Sequence, residues 1–321
     1  MQTNLSKPLI GISSCLLGEE VRFDGGHKQH SYICRTLGDY FDFRSFCPEM
    51  AIGLGVPRET IHLIDVGGEI ECVGSKDSSR NVTKQLEEVA AAQAPWCQDL
   101  SGYILKKGSP SCGMERVKVH HISDKGRHTI NNGVGIFAKV LMQQFPHLPV
   151  EEEGRLGDAV IRENFISRVL IYKRWRDLDQ QGLTVNALMK FHAAVKYTLF
   201  SHNQQRARAL GKALSQISAA ELDAFKAKYL LELMEILRIK ATRNNHVNVL
   251  QHIQGYLKQE LSKEDKQELQ ESIHSYHQGL LPLIVPITLL RHYFRLYPKP
   301  YIADSSYLYP HPHELMLLNR I

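Results

Sequence analysis

Three of the six cysteines share one kind of neighbourhood. Cys15 closes the apolar run "PLIGISS". Cys47 closes "FDFRSF" and precedes Pro48-Glu49. Cys112 sits in "KKGSPSCG", just after the run "GYILK". If those runs are parallel strands, all three thiols arrive at one carboxyl edge, where open α/β sheets bind ligands. Thiolates gathered in this way suit a soft metal, either zinc or an iron–sulfur cluster. No Cys-x-x-Cys pair is present, so only the fold can bring the ligands together. Three thiolates also fall one short of a closed all-cysteine tetrahedron, and an open position is what a catalytic centre keeps for its substrate. Plain core packing is the usual competing reading, and a nucleophilic cysteine is another. His120 and His121 are its candidate bases, with nothing in the sequence to orient them. Cys34, Cys72 and Cys97 read as small core residues in helix-like or strand-like contexts.

The elements that would position these thiols follow from periodicity. "PLIGISS" is a short buried-strand run, "FDFRSFCPEM" a strand ending at a turn, and Gly102–Lys106 a strand entering a Gly/Ser/Pro loop. "SYICRTLGDY", "VTKQLEEVAAAQAPW" and "GVGIFAKVLMQQF" have helical spacing. Strands alternating with helices predict an α/β domain with a mostly parallel sheet over residues 1–150. "FPHLPVEEEGRLGD" (145–158), with its prolines, glycines and acidic run, reads as a boundary. Beyond it strand signals nearly vanish. Asp158 is a candidate N-cap for a helix whose Ile161, Phe165 and Val169 recur every four residues. Farther on, Leu250, Ile253 and Leu257 make an apolar helix face. Residues 151–321 are expected to be all-helical.

At 321 residues, 43% hydrophobic and 23% charged, the chain is ordinary globular material with room for a large core. The longest apolar run, "GLLPLIVPITLL", is broken by Pro282 and Pro286 and is too short for a membrane span. Ile12-Ser13-Ser14-Cys15 loosely fits a lipoprotein cleavage box, but the apolar stretch before it is too short for a signal. The expectation is a cytoplasmic protein with reduced thiols, which favours metal or catalytic roles over disulfides. The net charge of +5 is uneven: residues 1–150 hold equal numbers of bases and acids, so the whole excess lies in 151–321. Charge alone favours a slightly basic solvated surface over a face for a polyanion.

"ISSCLLG", "VRFDGGHK", "FCPEMAIGLGVPR", "KKGSPSCG" and "GVGIFAKVL" together resemble the thiouracil desulfidase family (TudS) over roughly the first 150 residues. "PVEEEGRLGD", "MKFHAAVKYTLFSH", "NVLQHIQGYLK", "LLPLIVPITLLRHY" and "YLYPHPHELMLLN" extend the resemblance to the family's two-domain tRNA 4-thiouridine desulfidase branch (RudS). The resemblance implies a [4Fe–4S] cluster held by Cys15, Cys47 and Cys112, its open iron taking the substrate's thiocarbonyl sulfur. It implies a catalytic acid at Glu49 and a serine at Ser109; beside them, Ser109 or Ser111 could orient water or stabilise developing charge. The implied reaction turns 4-thiouridine in tRNA into uridine, releases sulfide and needs no net redox change. Two alternatives stay open: desulfuration of free thiouracil or thionucleosides, and a metal-stabilised RNA-binding module without chemistry.

Asp24 and Lys28 of "FDGGHK" and Arg58 of "GVPR" are candidates for lining the pocket or meeting phosphate, against the plain reading of loop residues with solvated charges. In the helical half the candidates for RNA contact are His192 with Lys196, one turn apart, and Arg243 beside a face of Asn244, Asn248 and His252. "YPHPHE" (309–314) is metal-like in composition but reads more simply as a rigid turn.

Overall fold

The computed structural model describes residues 6–123 and 126–309. The chain divides into two compact units, Met1–Asp158 and Ala159–Ile321. The first is α/β and the second helical, the class expected from periodicity.

In the first unit, β1 (Leu9–Ser13) is followed by α1 (Ser31–Arg35), β2 (Asp42–Phe46) and the short α2 (Pro48–Ala51). Next come β3 (Ile61–Val66), β4 (Glu69–Gly74), α3 (Thr83–Ala92), α4 (Ala94–Cys97), β5 (Gly102–Leu105), β6 (Val117–Ser123), β7 (Gly126–Gly133), α5 (Ile136–Gln144) and β8 (Val150–Glu152). One sheet has the order β2-β1-β5-β8, and every pair in it is parallel. Ile10 and Ile12 of β1 and the whole of β5 are buried, the pattern of a parallel sheet covered on both faces.

A second, mixed sheet has the order β4-β3-β6-β7. β3 and β4 form a hairpin whose register leaves a two-residue loop, Gly67-Gly68. Both glycines have positive φ, 63° and 95°, which a tight hairpin turn demands and side chains resist. Leu63, Cys72, Val117 and Val119 of this sheet pack with Leu86 and Ile136 into one buried cluster. Cys72 is therefore a core residue, as expected. Cys97 is buried too, and Cys34 donates its thiol to the Leu16 carbonyl at 3.6 Å.

Segment 145–158, which reads as a boundary, instead carries β8. That strand pairs with β5 and completes the parallel sheet, so the first unit runs through Asp158. Glu151, Glu152 and Glu153 are buried rather than solvated.

The second unit comprises α6 (Ala159–Gln180), α7 (Val185–His202), α8 (Gln204–Leu214), α9 (Leu222–Arg238), α10 (Arg243–Gln254), α11 (Lys263–Gln278), α12 (Ile284–Leu296) and the short α13 (Pro300–Ala303). Side-chain caps start four of them: Thr184 accepts from Ala187 N, Asn203 from Arg206 N, Thr242 from Asn245 N and Ser262 from Asp265 N. Each cap satisfies an otherwise orphaned amide and contributes about 1 kcal/mol. Phe165 and Val169 of α6 are fully buried, and Trp175 stacks on Tyr229 of α9 at 5.3 Å. Leu250, Ile253 and Leu257 are fully buried as their spacing predicts. Among the described residues no helix is long and apolar enough to cross a membrane.

Candidate active site

The three thiols sit where the parallel sheet puts them. Cys15 lies in the 3-10 turn Ser14–Leu17 directly after β1. Cys47 is the residue between β2 and α2, and Pro48 fixes the first helical position after it. Cys112 lies in the loop after β5. Since β1 is flanked by β2 and β5, the three residues leave adjacent strands at one carboxyl edge. All three line a single cavity of about 390 Å³.

Glu49 shares this wall. Its Oε1 accepts the Ser111 hydroxyl at 2.7 Å, and its Oε2 accepts Arg58 Nη2 at 2.7 Å and Nε at 3.1 Å. Arg58 is fixed in turn by the carbonyls of Gly55 (2.7 Å) and Val21 (2.9 Å). Ser109 Oγ stands 2.9 Å from Ser111 Oγ and accepts the amides of Cys112 (3.1 Å) and Ser111 (3.3 Å). Ser111 has one hydrogen, and it is directed at Glu49. The Ser109 hydroxyl must therefore donate to Ser111, which sets a chain Ser109→Ser111→Glu49. Ser109 lines the cavity, whereas Ser111 is fully buried behind it and orients Glu49 from there.

The loop that carries Cys112 is held from β8. Glu152 accepts the Met114 amide at 2.8 Å, and Glu153 accepts the Lys107 amide at 2.7 Å and pairs with the Lys106 ammonium. Gly113 is required by closeness to protein. A Cβ there would stand 2.3 Å from Val117 Cγ2 and 2.8 Å from the Ser109 carbonyl oxygen. Of the bases around the motif, Lys106 and Lys107 line the cavity, while Arg116 and Lys118 are exposed and do not.

Burial raises all three thiols. It pushes Cys15 up to about 11, partly offset by Lys106, and it raises Cys47. It raises Cys112 further, with Cys47 and Glu49 adding to the effect. The three thiolates would repel one another in a dry wall, which is costly unless a positive centre joins them. Among the described residues no three His, Cys, Asp or Glu are set to hold one metal ion. Three cysteine thiolates are donors of the kind that an iron–sulfur cluster takes.

The other expected residues divide. Lys28 lines the cavity, and its amide donates to the Cys15 carbonyl at 2.8 Å. Asp24 is not on the wall; its Oδ1 accepts the Gly26 amide and faces Arg22, so it acts as a turn residue. His120 and His121 are on β6, bonded to Thr129 and Asp65, and neither lines the cavity. In the helical unit, His192 and Lys196 line one cavity together. Arg243 lies over the Tyr276 ring at 5.5 Å, Asn244 bonds His277, and Asn248 bonds Gln204, so these three side chains serve helix-to-helix contacts. "YPHPHE" lies outside the described residues beyond Tyr309. Arg22, missed in the sequence, lines the site, and Glu152 and Glu153, also missed, hold its loop. Their only signal was an acidic run that looks like a linker.

Residues 10–153 match the family described as 2-thiouracil desulfurase. The protein YbbK of Bacillus subtilis is 36% identical over 168 residues, 50% of this chain and 100% of YbbK. The chain belongs to the 2-thiouracil desulfurase family. A solved structure titled [4Fe-4S]-dependent thiouracil desulfidase TudS is 30% identical, covering 47% of this chain and 94% of that one, with a TM-score of 0.38. Residues 196–312 match a second family, described as a protein of unknown function (DUF1722). The protein YbgA of Escherichia coli is 30% identical over 146 residues, 45% of this chain and 86% of YbgA. In the 2-thiouracil desulfurase segment lie Cys15, Cys47, Cys112, Glu49, Ser109 and Ser111, with every residue of the cavity wall.

Proposed function

We propose that the chain is a desulfidase acting on the thiocarbonyl of a thiolated pyrimidine: C=S and water become C=O and hydrogen sulfide, with no net redox change. The observation that carries this reading is the meeting of three thiols, two of them buried and Cys47 half-buried, and the Ser109–Ser111–Glu49–Arg58 chain around one cavity. Cys15, Cys47 and Cys112 would hold a [4Fe–4S] cluster, which when bound supplies an open, soft Lewis-acid iron for the sulfur.

The chain's own residues supply the proton handling. Glu49 faces the cavity with Oε1 engaged only by Ser111 among its described contacts, which leaves that oxygen a second lone pair for water. It takes the proton as water adds to the carbon and returns it to the departing sulfide. Arg58 saturates the far oxygen and fixes the carboxylate's rotation. Ser109 presents a hydroxyl at the wall, anchored by two backbone amides. Lys28, Lys106, Lys107 and Arg22 surround the cavity with positive charge, which favours an anionic cluster and a phosphate-bearing substrate.

The finer reading is that the substrate is 4-thiouridine within tRNA, with the basic helical unit meeting phosphates. Free thiouracil or a thionucleoside is the second reading, favoured by a cavity whose whole wall comes from the first unit. Anaerobically purified protein is expected to be brown, with about four iron and four sulfide per chain. It should release sulfide from 2-thiouracil, 4-thiouridine or thiolated tRNA. Protein that binds zinc, cannot be reconstituted with iron and sulfide and turns over none of the three would sink the proposal.

A further inference from the structure

The helical unit contains its own cavity, of about 810 Å³, within the size range of small-molecule sites. Its walls are unusual for a helical bundle. Tyr197 and Phe200 of α7, Tyr256 after α10 and Tyr301 of α13 bring four aromatic rings to it. Lys196 Nζ lies 5.7, 5.6 and 5.8 Å from the rings of Tyr197, Phe200 and Tyr301, and 3.5 Å from the Tyr301 hydroxyl. The Arg208 guanidinium stands 5.8 Å from the Phe200 ring. Among the described residues no Asp or Glu lines this cavity.

Two cations thus face an aromatic basin without a carboxylate. Elsewhere in the unit Lys173 pairs with Asp177 and Arg206 with Glu232. An inorganic anion would use the cations and not the ring surface that reaches the cavity, and an apolar ligand would do the reverse. The composition calls for a ligand that is planar and aromatic at one end and anionic at the other. Base–aromatic stacking together with Lys/Arg–phosphate contact is the chemistry by which proteins hold unpaired nucleotides.

We propose that this cavity binds a nucleoside phosphate, its base against the tyrosine and phenylalanine rings and its phosphate on Lys196 and Arg208. The ligand is either a free mononucleotide or one unstacked residue of an RNA. The second source rests on the tRNA reading above; the first stands without it. Gly211 keeps the floor open, since a Cβ there would sit 3.0 Å from His192 Nε2.

Isothermal titration of the full chain tests this with uridine and adenosine 5′-monophosphates, uridine, inorganic phosphate and single-stranded oligouridylate. The variants are Lys196→Met, Arg208→Gln, Tyr301→Ala and Tyr301→Phe. Tyr301 is 44% exposed and Arg208 is exposed, so these substitutions leave the core intact, and a thermal melt verifies it. Saturable mononucleotide binding is expected, weakened about tenfold or more by Lys196→Met and Tyr301→Ala and retained by Tyr301→Phe. Uridine and phosphate should each bind more weakly than the nucleotide. A tighter oligouridylate complex that is lost in Tyr301→Ala assigns the ligand to RNA; an oligonucleotide that binds no tighter assigns it to the free nucleotide. The proposal is overturned if neither nucleotides nor oligouridylate bind. It also fails if binding ignores all the variants, which would place it elsewhere, or if phosphate binds as tightly as the nucleotide. Thiolated tRNA bound with undiminished affinity by Lys196→Met and Tyr301→Ala would remove this site and leave the tRNA reading standing. Intact nucleotide binding by a chain that does not bind tRNA would do the opposite.

Discussion

Glu49 is held from both sides by partners with different purposes. Arg58 takes Oε2, and its side chain is only 4% exposed, so the pair sits largely out of water. Ser111 takes Oε1 from behind the cavity wall. Glu49→Gln keeps the volume and most of these contacts but cannot accept a proton. It is expected to retain iron and lose about 10²–10⁴ in turnover, measured as sulfide release. Arg58→Ala strands a carboxylate in a poorly solvated site, which costs about 3–5 kcal/mol where the partner stays buried, so its deficit should also show in a lowered melting temperature. Cys112→Ala is expected to lose cluster and turnover together, because the other two thiols cannot hold it alone. A Cys112→Ala protein with full iron and normal sulfide release would remove Cys112 from the ligand set. Ser109→Ala should keep the iron and slow the reaction. Ser111→Ala should lower kcat with little change in KM, since Ser111 does not reach the cavity.

At the scale of elements, the three cysteines were legible because Cys15 and Cys47 close strand-like runs and Cys112 lies in the loop after another, and a parallel sheet brings three such ends to one edge. Of the second sheet only β4 was legible, as the strand around Cys72. β6 and β7 read "VKVHHIS" and "GRHTINNG", too polar to show a clean alternation, although Gly67-Gly68 between β3 and β4 was an available hairpin signal. β8 was missed because three glutamates in a row resemble a linker; they are buried since two of them accept the amides that shape the Cys112 loop. Gly113→Ala is expected to destabilise by about 1–3 kcal/mol through overpacking and to lower iron occupancy, read by melting and by iron assay. Two buried histidines tie helices together: His202 of α7 bonds the Ile239 carbonyl after α9, and His246 of α10 bonds Tyr307. Burial lowers His202 to about 4, with nearby Arg168 adding to the effect, and lowers His246 to about 3, with His202 adding. Both stay neutral in the folded state while the unfolded chain takes up protons below about 6.5. Stability must therefore fall as pH drops from about 6.5 toward 4, by up to about 1.4 kcal/mol per pH unit for each histidine. Urea titrations at pH 7, 6 and 5 that followed Trp175 and showed no loss would contradict the burial of both rings.

For the whole molecule, the decisive quantity is how charge divides between the units. Moving the boundary from 150 to 158 gives the first unit four more acids and one more base. It then carries three net negative charges, and the second unit carries eight positive ones. The half that holds the reaction cavity is thus the half that a polyanion would avoid at long range. A small thionucleobase needs nothing beyond the first unit, whose cavity is complete within it. A thiolated tRNA would need attraction that this unit's net charge opposes, and the tRNA reading assigns that attraction to the positive charge of the helical unit. Residues 1–158 are therefore expected to match the full chain on free 2-thiouracil or 4-thiouridine and to fall well behind it on thiolated tRNA. The full chain's advantage on tRNA should shrink as salt rises from about 50 to 200 mM, because each phosphate contact releases counterions and weakens with added salt. Activity on the small substrates should be nearly salt-independent over the same range. Sulfide release measured for both chains, on both substrates and at both salt concentrations, decides the question. Equal rates on tRNA without the helical unit would mean that its positive charge serves another partner.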